Sequence, residues 1–256
     1  MKFYTITCDE TKSILPVKKF LTDKYIDYPF NFINLDIESE PVSEWTTSVL
    51  NRLKDIDDEY IILSLDDCLP MTYFNQKVFD ETMNYMKTDK NIVRYEIGHT
   101  TTKYPLTKNM DGYIIVDIPQ DADYRLSTQT SVWRTDYLFD KLSVTDDPWN
   151  FEKKFSDECK GDGKRMIVTE NQWALRWTRH GALSGRYPNR INVLGIKVSD
   201  IKEMINLGYF NASELQYGNM PGSPSAILKE DFSIEQLRGK LQWFDEHVEL
   251  YGFNYK

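Results

Sequence analysis

The first half of the chain alternates between short apolar runs and segments whose apolar positions recur every three or four residues. "KFYTIT" (2–7) is a short β-rich run. "SILPVKKFLTDKY" (13–25) spaces its apolar residues helically, with Ser13 placed as an N-cap and Pro16 in the first turn. "YPFNFINLD" (28–36) reads as a strand and "SEWTTSVLNRLKDID" (43–57) as an amphipathic helix capped by Ser43. "EYIILSL" (59–65) has too many consecutive apolar residues for a half-exposed strand, which predicts a central place in a parallel sheet. A helix over about 73–88 and a strand, "NIVRYEI" (91–97), complete the repeat. Such alternation predicts a doubly wound α/β sheet, whose ligands bind beyond the carboxyl ends of the strands.

The pattern is less regular afterwards. "GHTTTKYPLTKNMDG" (98–112) reads as an exposed loop or hairpin and "YIIVDI" (113–118) as a strand. "LSTQTSVWRTDYLFDKL" (126–142) begins polar and becomes helical, and Pro148 marks a helix start in "DDPWNFEKKF" (146–155). "RMIVT" (165–169) is a last short strand. A helix before His180, one over 198–208, a Gly/Pro/Ser-rich loop (211–231) and a closing amphipathic helix (about 233–249) are the remaining expectations. No internal repeat or low-complexity tract is evident.

Composition narrows the function. Hydrophobic residues make up 41% and charged residues 28%, as in ordinary globular domains. The formal net charge of -9 argues against general phosphate neutralisation on nucleic acid, though not against a local basic groove. An acidic protein approaching a nucleotide diphosphate needs a divalent cation to offset repulsion. Three cysteines, Cys8, Cys68 and Cys159, lack CxxC spacing, so neither a disulfide framework nor a zinc site is indicated. The start, "MKFYTITCDE", shows no signal-peptide pattern and no run has transmembrane length, so a cytoplasmic protein is expected, in the host cytoplasm if the source is viral or a phage. Three histidines exclude a histidine-rich metal site, and GxGxxG, P-loop, HExxH and GxSxG signatures are absent.

The chemistry concentrates in two places. "LSLDDC" ends the apolar run 59–65 in Asp66 and Asp67. Mg²⁺ and Mn²⁺ favour carboxylate oxygens and share their sites with substrate phosphates. The competing reading is an acid that ends a strand and caps the next turn. Neighbouring side chains of a straight strand point to opposite faces, so both carboxylates meet one ligand only if the chain turns there, and Cys68-Leu69-Pro70 allows that. In the second cluster Trp149 and Glu152, three apart, share a face if Pro148 opens a helix. A Trp face beside a carboxylate suits a sugar, whereas a core Trp with a solvated first-turn acid is the plainer account. A lone histidine such as His180 is more often a helix C-cap than a ligand, and Arg176, Arg179, Arg186 and Arg190 read equally as phosphate-binding charge or a solvated face.

In their order these elements resemble the small glycosyltransferases of the GT-A fold, over roughly residues 2–190. "LSLDDC" stands where that family carries a DxD-type acidic motif. "YRLSTQTSVWRTDYLFDKL…DDPWNFE" is similar to the acceptor-side segment of bacterial and large-virus members. The resemblance implies an α/β, GT-A-like (Rossmann-like) mixed sheet flanked by helices. Residues 1–97 would form the nucleotide-sugar half of a 1–190 catalytic domain and 98–190 its acceptor half, with 191–256 a helical extension. It implies Asp66 and Asp67 on Mn²⁺ or Mg²⁺, with His180 at the place of a later metal ligand. Tyr4 and Thr5 would lie near the nucleotide base and Arg186 at the donor, with Trp149, Gln129 and Trp133 at the acceptor. Glu152 or Asp147 would be the base of an inverting reaction. The motif lacks a third acid, which leaves open which Asp touches the ion. The implied partners are a nucleotide sugar, UDP-linked, and a glycan or a hydroxylated or glycosylated base of phage DNA. Two competing functions are a sugar-phosphate nucleotidyltransferase, whose Gly- and Arg-rich loop "TCDETKS" (7–13) is not, and a non-catalytic carbohydrate-binding or assembly protein.

Overall fold

The computed structural model describes residues 1–9, 11–37, 42–98, 105–144, 146–178, 191–192, 196, 198–209 and 215–216. The chain separates into two compact units, Met1–Arg179 and His180–Lys256.

The first unit runs β1 (Lys2–Thr7), α1 (Leu15–Tyr25), β2 (Asn31–Asp36), α2 (Trp45–Leu53), β3 (Tyr60–Leu65), α3 (Gln76–Thr88), β4 (Ile92–Glu96), β5 (Leu106–Asn109), β6 (Ile114–Asp117), β7 (Ser131–Arg134), α4 (Thr135–Leu142), α5 (Pro148–Glu158) and β8 (Arg165–Glu170). Its eight strands form one mixed sheet in the order β2-β1-β3-β7-β4-β8-β6-β5. β1 is parallel to β2 and β3, while β7 enters antiparallel between β3 and β4. The expected α/β sheet flanked by helices is therefore present, but β3 has a parallel neighbour on one side only. The inserted strand comes from "SVWR", where the sequence pattern predicts a helix start. Four β-compatible residues, all buried, are too short a run to show a period against the helix that follows.

Ile61 and Leu63 of β3 join Tyr4 and Ile6 of β1 in a core with Val49 and Leu53 of α2, Leu138 and Leu142 of α4, and Phe151 and Phe155 of α5. The alternate residues face α1 and α3, where Phe3, Phe30, Phe74 and Phe79 pack ring on ring. Neither Ser13 nor Ser43 caps a helix. Short 3₁₀ turns at Lys12–Ile14 and Val42–Glu44 lead into α1 and α2, and the N-cap residues Ile14 and Glu44 make no side-chain cap bond. Asn75 and Asp147 do cap α3 and α5, accepting from Val78 N–H and Asn150 N–H. Segment 98–112 contributes β5, hairpin-paired with β6. Residues 171–178 are not helical. They bridge antiparallel to the chain at Pro70, because 67–75 hydrogen-bonds back to them.

In the second unit, β9 (Ile191–Asn192) and β10 (Leu215–Gln216) pair in parallel and α6 spans Val198–Asn206. The closing helix (233–249) and most of the 211–231 loop lie outside the described residues. No helix among those described is long and apolar enough to cross a membrane.

Candidate functional site

β1 and β3 run in register, Thr5 beside Ser64 and Ile6 beside Leu65, and the Asp66 N–H extends the ladder by donating to the Ile6 carbonyl at 2.9 Å. Asp66 therefore continues the strand, on the face that carries Thr5, Thr7 and Ser64. The chain then turns. Cys68 N–H donates back to the Leu65 carbonyl at 3.2 Å. Thr178 clamps the turn, its hydroxyl bonding the Asp67 carbonyl at 3.1 Å and the Leu69 N–H at 3.0 Å. This turn, expected from Cys68-Leu69-Pro70, lets two consecutive acids share one region.

Asp66 is buried, at 4% exposure, and its Oδ2 has no hydrogen-bond partner among the described residues. The Thr7 hydroxyl, at the end of β1, is likewise buried and faces the Asp66 carboxyl. Burial pushes the Asp66 carboxyl above the usual range, opposed by the nearby Thr11 and Thr7 hydroxyls and by Lys18. Asp67 is half-buried. Burial first, and the Asp66 charge second, push its carboxyl up to about 7. Burying charge without a close partner is expensive. Beneath the pair lies the Lys18 ammonium, brought in by α1, 5% exposed and pushed down to about 8 by burial. It donates to Ser64 Oγ at 2.9 Å and to the Leu65 carbonyl. Sequence reading missed Lys18, whose only signal is a lysine on the apolar stripe Val17–Leu21 of its helix.

The donor set fits a hard divalent ion. Two carboxylates, one with a buried unpartnered oxygen, match ions that take one or two carboxylates and complete their shell with phosphates and water. No group of three or more His, Cys, Asp and Glu is gathered among the described residues. His180, Arg179, Arg186 and Arg190 lie outside them.

Tyr4 and Thr5 do not reach this end of the sheet. Tyr4 is buried in the core, with Lys2 and Asp58, at the opposite end, in electrostatic range of its phenol. Thr5 is 4% exposed in mid-strand.

On the second cluster, α5 presents Glu152 and Ser156, four residues apart and hence on one face. Ser156 Oγ accepts the Leu126 N–H at 2.8 Å and donates to the Leu126 carbonyl at 3.2 Å. Glu152 Oε1 accepts both the Thr128 N–H and its hydroxyl, each at 2.7 Å. Asp147 uses both oxygens on Asn150, at 2.7 and 2.8 Å. Trp149 is 64% exposed and so is no core residue, whereas Trp133 is 2% exposed with the Arg94 guanidinium 5.2 Å from its ring centroid. Trp133 is held in the core by its place in β7 and offers no open face. Gln129 is half-buried in the turn, its carbonyl accepting from Ser131 Oγ.

The two clusters meet through that turn. Thr130 Oγ1 lies 2.8 Å from Ser64 Oγ, the same hydroxyl that receives Lys18. Residues 127–130 are thus gripped at one end by Glu152 and at the other by the strand that carries Asp66. A separate open cleft of about 430 Å³, lined by Asp57, Asp58, Glu59, Arg134 and Asp136, lies at the opposite, amino-terminal end of β3.

No family model matches the chain, and no curated protein matches it. Among solved structures, TarS of S. aureus gives a TM-score of 0.44 at 14% identity, covering 97% of this chain and 44% of TarS. UDP-glucose pyrophosphorylase complexed with UDP-glucose gives 0.39 at 13% identity, covering 81% of this chain and 98% of that one. A glycosyltransferase involved in the glycosylation of the major capsid of PBCV-1 gives 0.33 at 17%, covering 65% and 80%. The chain spans less than half the length of TarS. At these scores the likenesses assign no activity, and the functional reading rests on the site.

Proposed function

We propose that the chain is a metal-dependent glycosyltransferase that moves a sugar from a nucleoside-diphosphate sugar, UDP-linked, to a hydroxyl acceptor: a glycan, or a hydroxylated or glycosylated base of phage DNA. The observation that carries this reading is the buried Asp66 carboxylate oxygen, without a hydrogen-bond partner among the described residues, beside Asp67 at the carboxyl end of β3. Strand ends of this kind are where open α/β sheets bind ligands.

Asp66 and Asp67 would hold Mn²⁺ or Mg²⁺, which when bound offsets the negative charge that develops on the leaving diphosphate. Thr7, buried at the end of β1 and facing the Asp66 carboxyl, would add a hydroxyl to the donor side of the site. The sugar acquires oxocarbenium character as its bond to the diphosphate breaks. Inversion requires a carboxylate to take the acceptor's proton. Of the two candidates Glu152 fits better, because Thr128 occupies only its Oε1, while both Asp147 oxygens are bonded to Asn150. The exposed indole of Trp149, one turn before Glu152, gives an acceptor sugar or base a flat apolar surface.

The test is a thermal-shift panel of nucleotide sugars with and without Mn²⁺, since a ligand of the native state raises apparent stability. One UDP-sugar should stabilise the protein only with the ion, and the Asp66→Ala/Asp67→Ala double variant should lose that stabilisation. Equal stabilisation of the double variant removes the metal assignment, and no response to any nucleotide sugar favours a non-catalytic protein.

A further inference from the structure

Lys18 has no part in the chemistry above, yet its ammonium is the buried cation of the site. It bonds the two residues immediately before Asp66, through Ser64 Oγ and the Leu65 carbonyl, and Asp66 and Asp67 are both in its electrostatic range. The Trp177 ring centroid lies 5.7 Å from the ammonium, which is 5% exposed. A buried ammonium with only neutral acceptors is costly, and a buried carboxylate pair without a cation equally so. Each group answers the other's cost.

We propose that Lys18 is the resident counter-cation of the Asp66–Asp67 pair, so that a free divalent ion binds weakly by itself and tightly only together with a nucleoside diphosphate. The inference rests on the reading of the pair as an ion site. With both carboxylates ionised, as ion binding requires, they and the Lys18 ammonium sum to one negative charge. A dication arriving alone meets that reduced charge and the repulsion of the ammonium. The diphosphate restores the missing negative charge and supplies further oxygen ligands. Removing one unit of positive charge that is bonded to the two residues before Asp66 should strengthen binding of a dication by about tenfold or more at the effective dielectric of a protein site.

Lys18→Gln removes the charge and keeps an N–H donor for Ser64 and Leu65, and Lys18→Arg keeps the charge. Mn²⁺ affinity is read from the electron paramagnetic resonance signal of free Mn²⁺, for each protein alone and with UDP. Wild type and Lys18→Arg should bind Mn²⁺ alone at least about tenfold more weakly than with UDP. Lys18→Gln should bind Mn²⁺ alone about tenfold more tightly than wild type, narrowing the gain from UDP. If Lys18→Gln does not fold, Lys18→Met serves in its place. Equal affinity of the charge-removed and charge-kept variants for Mn²⁺ alone overturns the role of Lys18 and leaves the ion site standing. A wild-type protein that takes up no Mn²⁺ even with UDP overturns both.

Discussion

Glu152 carries two roles that one pair of substitutions separates. Its Oε1 accepts two bonds from Thr128 at 2.7 Å, which fixes the start of the 127–130 turn against α5. A hydrogen bond to an ionised group contributes about 1.5–3 kcal/mol. Here both bonds share one acceptor oxygen and the carboxylate is only half-buried, so each contributes at or just below the low end of that range, about 1–1.5 kcal/mol. Glu152→Ala should therefore cost about 2–3 kcal/mol in urea unfolding, or about 4–12 °C in Tm for a domain of this size. Glu152→Gln retains an acceptor oxygen and should cost only about 1 kcal/mol. Thr128→Val removes the hydroxyl partner, and its double variant with Glu152→Ala should show a coupling of about 1 kcal/mol. Glu152→Ala within about 0.5 kcal/mol of wild type, or strict additivity with Thr128→Val, refutes the clamp. Activity then divides the roles. If the carboxylate takes the acceptor's proton, Glu152→Gln loses about 10²–10⁴ in kcat while remaining folded. If Glu152 is only a clamp, the Gln variant keeps its turnover and the Ala variant loses activity and stability together.

Three further outcomes follow from the same structure. Arg94 is fully buried and bonds Ser131 Oγ at 3.0 Å, the Arg125 carbonyl at 3.1 Å and Glu96 at 2.9 Å, so Arg94→Met should cost about 3–5 kcal/mol in urea unfolding, and a loss below about 1 kcal/mol contradicts its role as a hub. The Asn91 N–H and then Arg165 hold the Asp89 carboxyl below the usual range; because its folded pKa is depressed, its stabilisation is present above about pH 4 and is lost as pH falls through the folded value. Acid unfolding of Asp89→Asn should therefore begin from a lower plateau and lose less below pH 4, and parallel wild-type and variant curves refute the assignment. Asp66→Asn replaces a buried carboxylate whose Oδ2 lacks a partner, so ligand-free stability should stay level or rise by up to about 2 kcal/mol, and a clear loss shows that the acid holds the strand tip instead.

The elements with a strong period were legible. Leu15–Tyr25, Gln76–Thr88 and Pro148–Glu158 lie within a few residues of their predicted spans, and the Asp66–Asp67 tip stands at the predicted strand end. What failed was decided by tertiary partners. Ser131–Arg134 is a strand because β3 and β4 flank it, and no local pattern in four residues records that. Residues 171–178 have helical-looking spacing but hydrogen-bond to the chain after Asp67. Within the site, residue type was readable and depth was not. Trp133 and Trp149 carry the same side chain, yet one is enclosed by its strand neighbours and the other stands out of the first turn of α5. Lys18 and Glu152 show their roles only through the groups they touch.

Those contacts also explain why the acids end a strand instead of lying on a loop. A pair of buried carboxylates repels itself and resists desolvation, so a flexible backbone would relax by turning one acid outward. Here it is fixed from three directions. The Asp66 N–H is locked to β1, Thr178 pins the turn behind Asp67, and Lys18 fastens Ser64 and Leu65 in front. Ser64 in turn is bonded to Thr130, and the same short turn is gripped by Glu152 through Thr128. The Glu152 clamp is thus linked to the strand end that carries Asp66 through Thr128, Thr130 and Ser64. Preorganisation of this kind costs native-state stability at the acids and is sustained by the hydrogen bonds around them, which is the arrangement expected where charge must be held ready for a ligand.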